Sequence, residues 1–252
     1  MNDLISAANK LIAHRGYPRH YPENTLAGII AAITAGARFI EVDVQLTADG
    51  VAVLFHDRDL RRLCHRSGAL HDYDWREVRT FSVRGPAQPD NPNRQEPLSR
   101  LKDLADLLQA YPRITAFIEL KRISLAYFDE NGMLAKVLTD LQPVLGQCVM
   151  ISYSLPALEK IRERGRQPIA VVADDWHTLS QPRVQALKAE YLFCDIESLP
   201  AEGPLQVPGS HLAVYECTDV RRARTVLGRG VDLVETFAIG EMLANLQEGA
   251  RV

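Results

Sequence analysis

This sequence has few of the features that mark a zinc protein, a membrane protein or a nucleic-acid binder. Its four cysteines, Cys64, Cys148, Cys194 and Cys217, are widely spaced, and none belongs to a CxxC or Cys/His pair. That excludes the usual thiolate zinc sites. Three of the four lie in apolar, strand-like runs, as buried thiols in a reducing compartment would. No basic run forms a stripe, and 29 Lys+Arg against 32 Asp+Glu give a net charge of -3, so no nucleic-acid partner is expected. No apolar run approaches the ~18 residues of a membrane span, and none points to stable membrane insertion. The first ten residues lack a basic start followed by an apolar stretch, so a cytoplasmic location is expected. The remaining composition, 46% hydrophobic and 24% charged over 252 residues, is that of one globular domain with a sizeable core. A homo-oligomer is compatible with it.

Short apolar runs alternate with helical patterns along the whole chain. Strand-like segments fall near Leu11–Ala13, Phe39–Val44, Ile114–Leu120, Cys148–Ile151, Ile169–Ala173, Tyr191–Cys194, Leu212–Tyr215 and Asp232–Glu235. Helical patterns over Thr25–Ala35, Arg100–Ala110, Met133–Leu145, Pro156–Arg164, Pro182–Ala189 and Val220–Leu227 separate most of them. Eight βα units of this kind predict an α/β fold, a TIM (β/α)8 barrel. Asn24 or Thr25 can cap the first helix, and Gly36 supplies its left-handed stop. Between Asp195 and Ser210 the clustered prolines and glycines predict loop in place of a barrel helix.

One strand-like run, Val51–Phe55, is surplus to the eight. Asp49-Gly50 suits a two-residue hairpin turn, which would pair Val44 with Phe55 and Asp43 with His56 above the barrel rim. After the second strand region, residues 58–97 have poor periodicity and a loop-like stretch from Arg84 to Asn93. They read as an insertion over the barrel mouth within a single domain spanning 1–252.

Chemistry-bearing residues concentrate between His14 and Asp57. Glu41 and Asp43 are two apart on an apolar strand, so both side chains leave one face, which points into the mouth at a barrel strand's C-terminal end. Glu119 and Lys121 repeat that spacing on Ala116–Lys121, where a buried lysine needs an anionic partner. Three carboxylates without soft ligands predict one divalent cation, Mg²⁺ or Ca²⁺. A surface strand, or a plain Glu119–Lys121 ion pair, is the bland alternative. His14 and His56 end strands that can face one pocket, and histidine suits proton transfer near neutrality. Arg15 offers a fork of donors to phosphate oxygens. Glu23 and Asn24 fit helix capping or bracing of Arg15 as well as binding, and Asp57 is a neighbour of the same supporting kind.

The blocks His14-Arg15-Gly16, Pro22-Glu23-Asn24-Thr25, Glu41-Val42-Asp43, Thr47-Ala48-Asp49-Gly50, His56-Asp57 and Glu119-Leu120-Lys121 occur in the order typical of glycerophosphodiester phosphodiesterases, and the chain resembles that family. The resemblance implies hydrolysis of a small-molecule glycerophosphodiester to glycerol 3-phosphate and an alcohol. It implies acid/base roles for His14 and His56, metal ligation by Glu41, Asp43 and Glu119, and phosphate contacts from Arg15 and Lys121. Either histidine can be the acid, and either a neighbouring substrate hydroxyl or water can attack; a neighbouring hydroxyl would gain an effective molarity of about 10⁵–10⁸ M. Two blocks depart from the pattern. Where the family usually has Trp-Thr-x-Asn this chain has Tyr215-Glu216-Cys217-Thr218, and where it usually has Thr-Asp-x-Pro this chain has Glu235-Thr236-Phe237-Ala238. Tyr215, Glu216 and Phe237 are therefore the expected head-group pocket. The rival readings are a barrel lyase forming a Schiff base on Lys121 and a non-catalytic phosphate-binding module.

Overall fold

The computed structural model describes residues 10–88 and 94–248. The N-terminal segment before Lys10 and the Pro89–Asn93 part of the predicted loop lie outside the described residues. Eight parallel strands close into a barrel: β1 (Leu11–His14), β2 (Phe39–Leu46), β6 (Thr115–Leu120), β7 (Cys148–Ser152), β8 (Ile169–Ala173), β9 (Tyr191–Asp195), β10 (His211–Tyr215) and β11 (Leu233–Thr236). Closure comes from β1, which pairs with β2 on one side (His14 opposite Glu41) and with β11 on the other (Ile12 opposite Glu235). The (β/α)8 expectation is borne out.

Strand alternation sorts the side chains into two cores. Ile12, Phe117, Ile151, Val172, Phe193 and Leu233 fill the barrel interior, with Phe117 edge-on to Phe193 at a centroid distance of 5.2 Å. Their neighbours Leu11, Ala13, Ile40, Val42, Ile118 and Val234 face the surrounding helices. Continuing the inward parity toward the C-terminal ends places His14, Glu41, Asp43, Glu119 and Glu235 at the mouth. The helices follow their local signals. Leu26–Thr34 starts at Thr25, whose hydroxyl accepts from the Gly28 N–H at 3.2 Å, and Gly36 follows it with φ +108°. The predicted Met133–Leu145 helix is an α-helix over Glu130–Leu141 continued by a 3₁₀ segment over Gln142–Gln147, where Pro143 removes a backbone donor. Pro182–Ala186 is shorter than predicted. Arg122–Phe128 and Ile239–Glu248 are helices that the pattern reading did not separate. After β9 only a 3₁₀ turn at Ile196–Ser198 precedes the predicted loop.

The hairpin exists but its register corrects the prediction. β3 (Ala52–Leu54) runs antiparallel to the part of β2 that extends beyond β1, pairing Val44 with Leu54, Gln45 with Val53 and Leu46 with Ala52. Asp43 thus faces Phe55, whose N–H donates to the Asp43 carbonyl at 2.9 Å, and not His56. The connection is a three-residue loop because Thr47 closes it. The Thr47 N–H donates to the Val51 carbonyl, its hydroxyl accepts from the Val51 N–H, and Gly50 takes the left-handed position with φ +76°. Beyond it, the segment read as irregular holds one-turn helices at Arg61–Cys64 and Trp75–Val78 and a small hairpin of β4 (Ser82–Arg84) with β5 (Gln95–Pro97). Phe55, Leu60, Leu70, Val78, Phe81 and Leu98 give it an apolar cluster of its own, which fixes the strand end that carries His56. Such short elements have too few turns to show a period, so no amphipathic pattern reveals them.

Candidate active site

Arg15 and Asn24 both hold left-handed backbones (φ +55° and +56°), conformations that cost energy in non-glycine residues and cluster at functional sites. The strain is held by hydrogen bonds: the Arg15 N–H donates to Glu41 Oε2 (3.2 Å) and the Asn24 N–H to the Arg15 carbonyl (3.0 Å). Gly16 follows with φ +86°, and a Cβ there would lie 2.9 Å from the Gly28 backbone, so the turn that carries Arg15 requires glycine.

Glu41, Asp43 and Glu119 each offer an oxygen within 4.8 Å of the other two, and all are buried. Asp43 lies 3.1 Å from Lys121 Nζ and 3.2 Å from Arg15 Nε. Burial alone would raise its pKa, but these two cations hold the carboxyl well below its ordinary range. Asn24 clamps it from the other side, its amide donating to Asp43 Oδ2 at 2.8 Å and accepting from the Asp43 N–H at 3.0 Å. Lys121 also donates to Glu119 at 2.8 Å, and these two carboxylates outweigh burial and keep the ammonium charged. A charged amine is no nucleophile, which argues against the Schiff-base reading. Burial, together with Asp43, Glu235 and Glu119, pushes Glu41 well above the usual carboxyl range.

This donor set fits a divalent cation. Glu41 Oε1 is buried without a hydrogen-bond partner, a costly arrangement that a cation relieves, and Asp43 Oδ1 meets only Lys121 Nζ at 3.1 Å. Four buried carboxylates, with Glu235 as the fourth, face only the cations Arg15 and Lys121 among the described residues. Oxygen-only ligation by Glu41, Asp43 and Glu119 suits Mg²⁺ or Ca²⁺.

The two histidines border one cavity of about 250 Å³, lined also by Arg15, Glu119, Lys121, Tyr153, Tyr215 and Glu235. His56, Lys121 and Tyr153 continue into a neighbouring cavity of about 480 Å³ beside Arg58 and Ile123. The His14 side chain is 11% exposed, and desolvation first, then Arg15, moves its pKa well below 6.5, which favours the neutral imidazole. Phe237 stacks on it at 4.6 Å. His56 is bound to Asp57 at 3.0 Å, Asp57 to Arg62 at 2.7 Å, Arg62 to Glu23 at 2.8 Å and Glu23 to Arg15 at 3.0 Å. Glu23, Asn24 and Asp57 therefore support the groups that face the cavity. Tyr215 lines the cavity, with its hydroxyl against the Tyr153 hydroxyl and the Ala173 carbonyl. Glu216 Oε2 is 3.7 Å from His14 Nδ1, so Glu216 and Phe237 gather on His14 instead of forming a separate wall.

Sequence reasoning missed Glu235 and Gln45. Glu235 carries the signal that found Glu119, an acidic residue ending an otherwise apolar barrel strand. Gln45 carries none, yet its buried amide donates to the carbonyls of Phe55, His56 and Asp57, fixing the loop that presents His56.

Among the described residues no helix is long and apolar enough to cross a membrane. In comparisons with known proteins, the chain is 28% identical over 204 residues to glycerophosphodiester phosphodiesterase 1 of Bos taurus, a match covering 78% of this chain and 59% of that protein. It is 43% identical over 70 residues to a glycerophosphodiester phosphodiesterase of Bacillus altitudinis, 28% of this chain and 29% of that one. The chain thus spans less than two thirds of the curated relatives it matches. Its fold is that of an Oleispira antarctica phosphodiesterase solved with the product sn-glycerol-3-phosphate (TM-score 0.78, 21% identity, covering 93% and 95% of the two chains). It is likewise that of glycerophosphodiester phosphodiesterase from Agrobacterium tumefaciens (TM-score 0.73, 23% identity, 94% and 99%). The model of the glycerophosphoryl diester phosphodiesterase family matches residues 14–220, from His14 at the end of β1 through the hairpin, the β6 carboxylate and lysine, and the barrel as far as β10. With its inward carboxylates and paired histidines on that matched span, the chain belongs to the glycerophosphoryl diester phosphodiesterase family.

Proposed function

We propose that this chain hydrolyses a glycerophosphodiester to glycerol 3-phosphate and an alcohol. The observation that carries this reading is the convergence of two histidines, two fixed cations and Glu119 on one cavity, with oxygens of Glu41 and Asp43 within 4.8 Å of Glu119. Glu41, Asp43 and Glu119 would hold one Mg²⁺ or Ca²⁺, which supplies positive charge to phosphate oxygens and acidifies a hydroxyl beside them. Arg15 and Lys121 are kept charged by their carboxylate partners and spread the charge that develops on the phosphate. Neutral His14 can accept a proton from the attacking hydroxyl while His56, starting protonated and with Asp57 orienting its ring, gives one to the leaving alkoxide. Where that hydroxyl is the substrate's own, water then opens the cyclic phosphate to glycerol 3-phosphate with the two roles reversed. Residues 58–97 are read as an insertion within the same catalytic domain, with Arg58 beside His56 in the neighbouring cavity. Choice of alcohol is ascribed to Tyr215, which borders the cavity, and to Glu216 and Phe237, which act through His14. The product in the Oleispira antarctica structure is the one this reading expects.

The test is a metal-depleted preparation assayed with Mg²⁺, Ca²⁺ or Mn²⁺ against choline, ethanolamine, serine and inositol glycerophosphodiesters. Metal-dependent release of glycerol 3-phosphate is expected. Full activity after exhaustive chelation, or no hydrolysis of any diester with any ion, would refute it.

A further inference from the structure

Glu235 is a buried carboxylate that the proposed reaction does not use. Its side chain is 5% exposed, accepts no hydrogen bond and pairs with no lysine or arginine among the described residues. It points into the cavity from β11, the strand on the other side of β1 from the one that carries Glu41. His14 Nε2 is 3.6 Å from Glu41 Oε2, and His14 Nδ1 is 3.9 Å from Glu235 Oε2. One donor atom from each of the three lies within 4.8 Å of the others. Within this group, His14 Nδ1 and Glu41 Oε1 are buried with no hydrogen-bond partner. The group shares only Glu41 with the all-oxygen triad of Glu41, Asp43 and Glu119, so it marks a separate position bridged by one carboxylate.

We propose that His14, Glu41 and Glu235 form a second cation position beside the first, and that filling it inhibits the enzyme by occupying His14. Two carboxylates and an imidazole suit a borderline transition ion such as Zn²⁺, Co²⁺ or Mn²⁺, with ligand distances of ~2.0–2.2 Å that a small inward movement of three side chains supplies. Glu216 stands 3.7 Å from His14 Nδ1 and can add a fourth oxygen. Glu216 and Glu235 both face His14. The inhibitory consequence rests on the proton-transfer role of His14 proposed above. An imidazole bound to a cation through one nitrogen has no free lone pair to accept a proton.

The experiment loads the full chain with Mg²⁺ or Ca²⁺ and then titrates Co²⁺, reading metal content by equilibrium dialysis and the visible absorption of bound Co²⁺. The wild type should keep its hard ion and take up one Co²⁺ with a visible band. Glu235→Gln and Glu235→Thr should weaken Co²⁺ by at least about 10-fold, at or above the loss that follows removal of a mere supporting partner, and leave Mg²⁺ or Ca²⁺ affinity unchanged. Zn²⁺ should slow the Mg²⁺-loaded wild type at concentrations that spare the Glu235→Thr variant. Co²⁺ that simply displaces the hard ion, second-site binding indifferent to both substitutions, or variants that lose both ions would each overturn the proposal. Two ions bound as expected by a chain that hydrolyses no diester would sink the proposed reaction and leave the second position standing.

Discussion

Replacing Asp57 with asparagine tests whether the carboxylate at His56 acts through the histidine. His56 Nδ1 lies 3.0 Å from Asp57 Oδ1, and the carboxylate is itself gripped by Arg62 at two points of 2.7 Å. Although burial would raise it, the His56 and Arg62 hydrogen bonds keep the Asp57 carboxyl well below its ordinary pKa, so it is ionised throughout the working range. An asparagine side chain at this position would lack that charge and hold the ring only by a neutral contact. A hydrogen bond to a charged group contributes about 1.5–3 kcal/mol net, which at 1.4 kcal/mol per decade is roughly 10–100-fold in kcat. The His56 side chain is 33% exposed and Asp57 19%, so solvent shares the interaction and the lower half of that range is expected. Folding should change little, because Arg62 is half exposed and such ion pairs contribute about 0–1 kcal/mol. The assay is steady-state release of glycerol 3-phosphate, paired with a thermal melt. An unchanged kcat in a well-folded Asp57→Asn protein would show that Asp57 does not act through His56.

Three further outcomes follow from the same contacts. His14→Ala and His56→Ala should each lower kcat by roughly 10²–10⁴-fold, and the double variant should lose less than the product of the two if both serve one concerted step, as measured by single-substrate kinetics. Asn24→Ala leaves buried groups of Asp43 unpartnered at a cost of about 1–3 kcal/mol, so calorimetry should find Tm lowered by roughly 2–4 °C per kcal/mol. Burial raises Glu216 from 4.5 to about 7, so the folded chain binds more protons than the unfolded one between those values and the metal-free protein loses stability as pH rises through that window. Glu216→Gln should flatten this slope and stabilise the protein above it, and melts of the two proteins that stay parallel across the window would contradict that.

Much of this molecule was decided locally. Each barrel strand is a short apolar run between helical patterns, and period-two alternation put Glu41 with Asp43, and Glu119 with Lys121, on inward faces without knowledge of neighbouring strands. The cap at Thr25 and the stop at Gly36 are likewise set by the residues themselves. The register of the hairpin was not, because the Thr47 side chain closes a three-residue loop that competes with the Asp49-Gly50 turn, and a difference of one residue changes which group His56 adjoins. The chain from His56 through Asp57, Arg62 and Glu23 to Arg15 joins the first βα loop to an insertion with no legible period. Above all, closure of β1 between β2 and β11 brings the last barrel strand beside the first, so that Glu216 and Glu235 meet His14. Nothing in the local sequence around either glutamate specifies that meeting; only the closed barrel places both carboxyl groups around one imidazole.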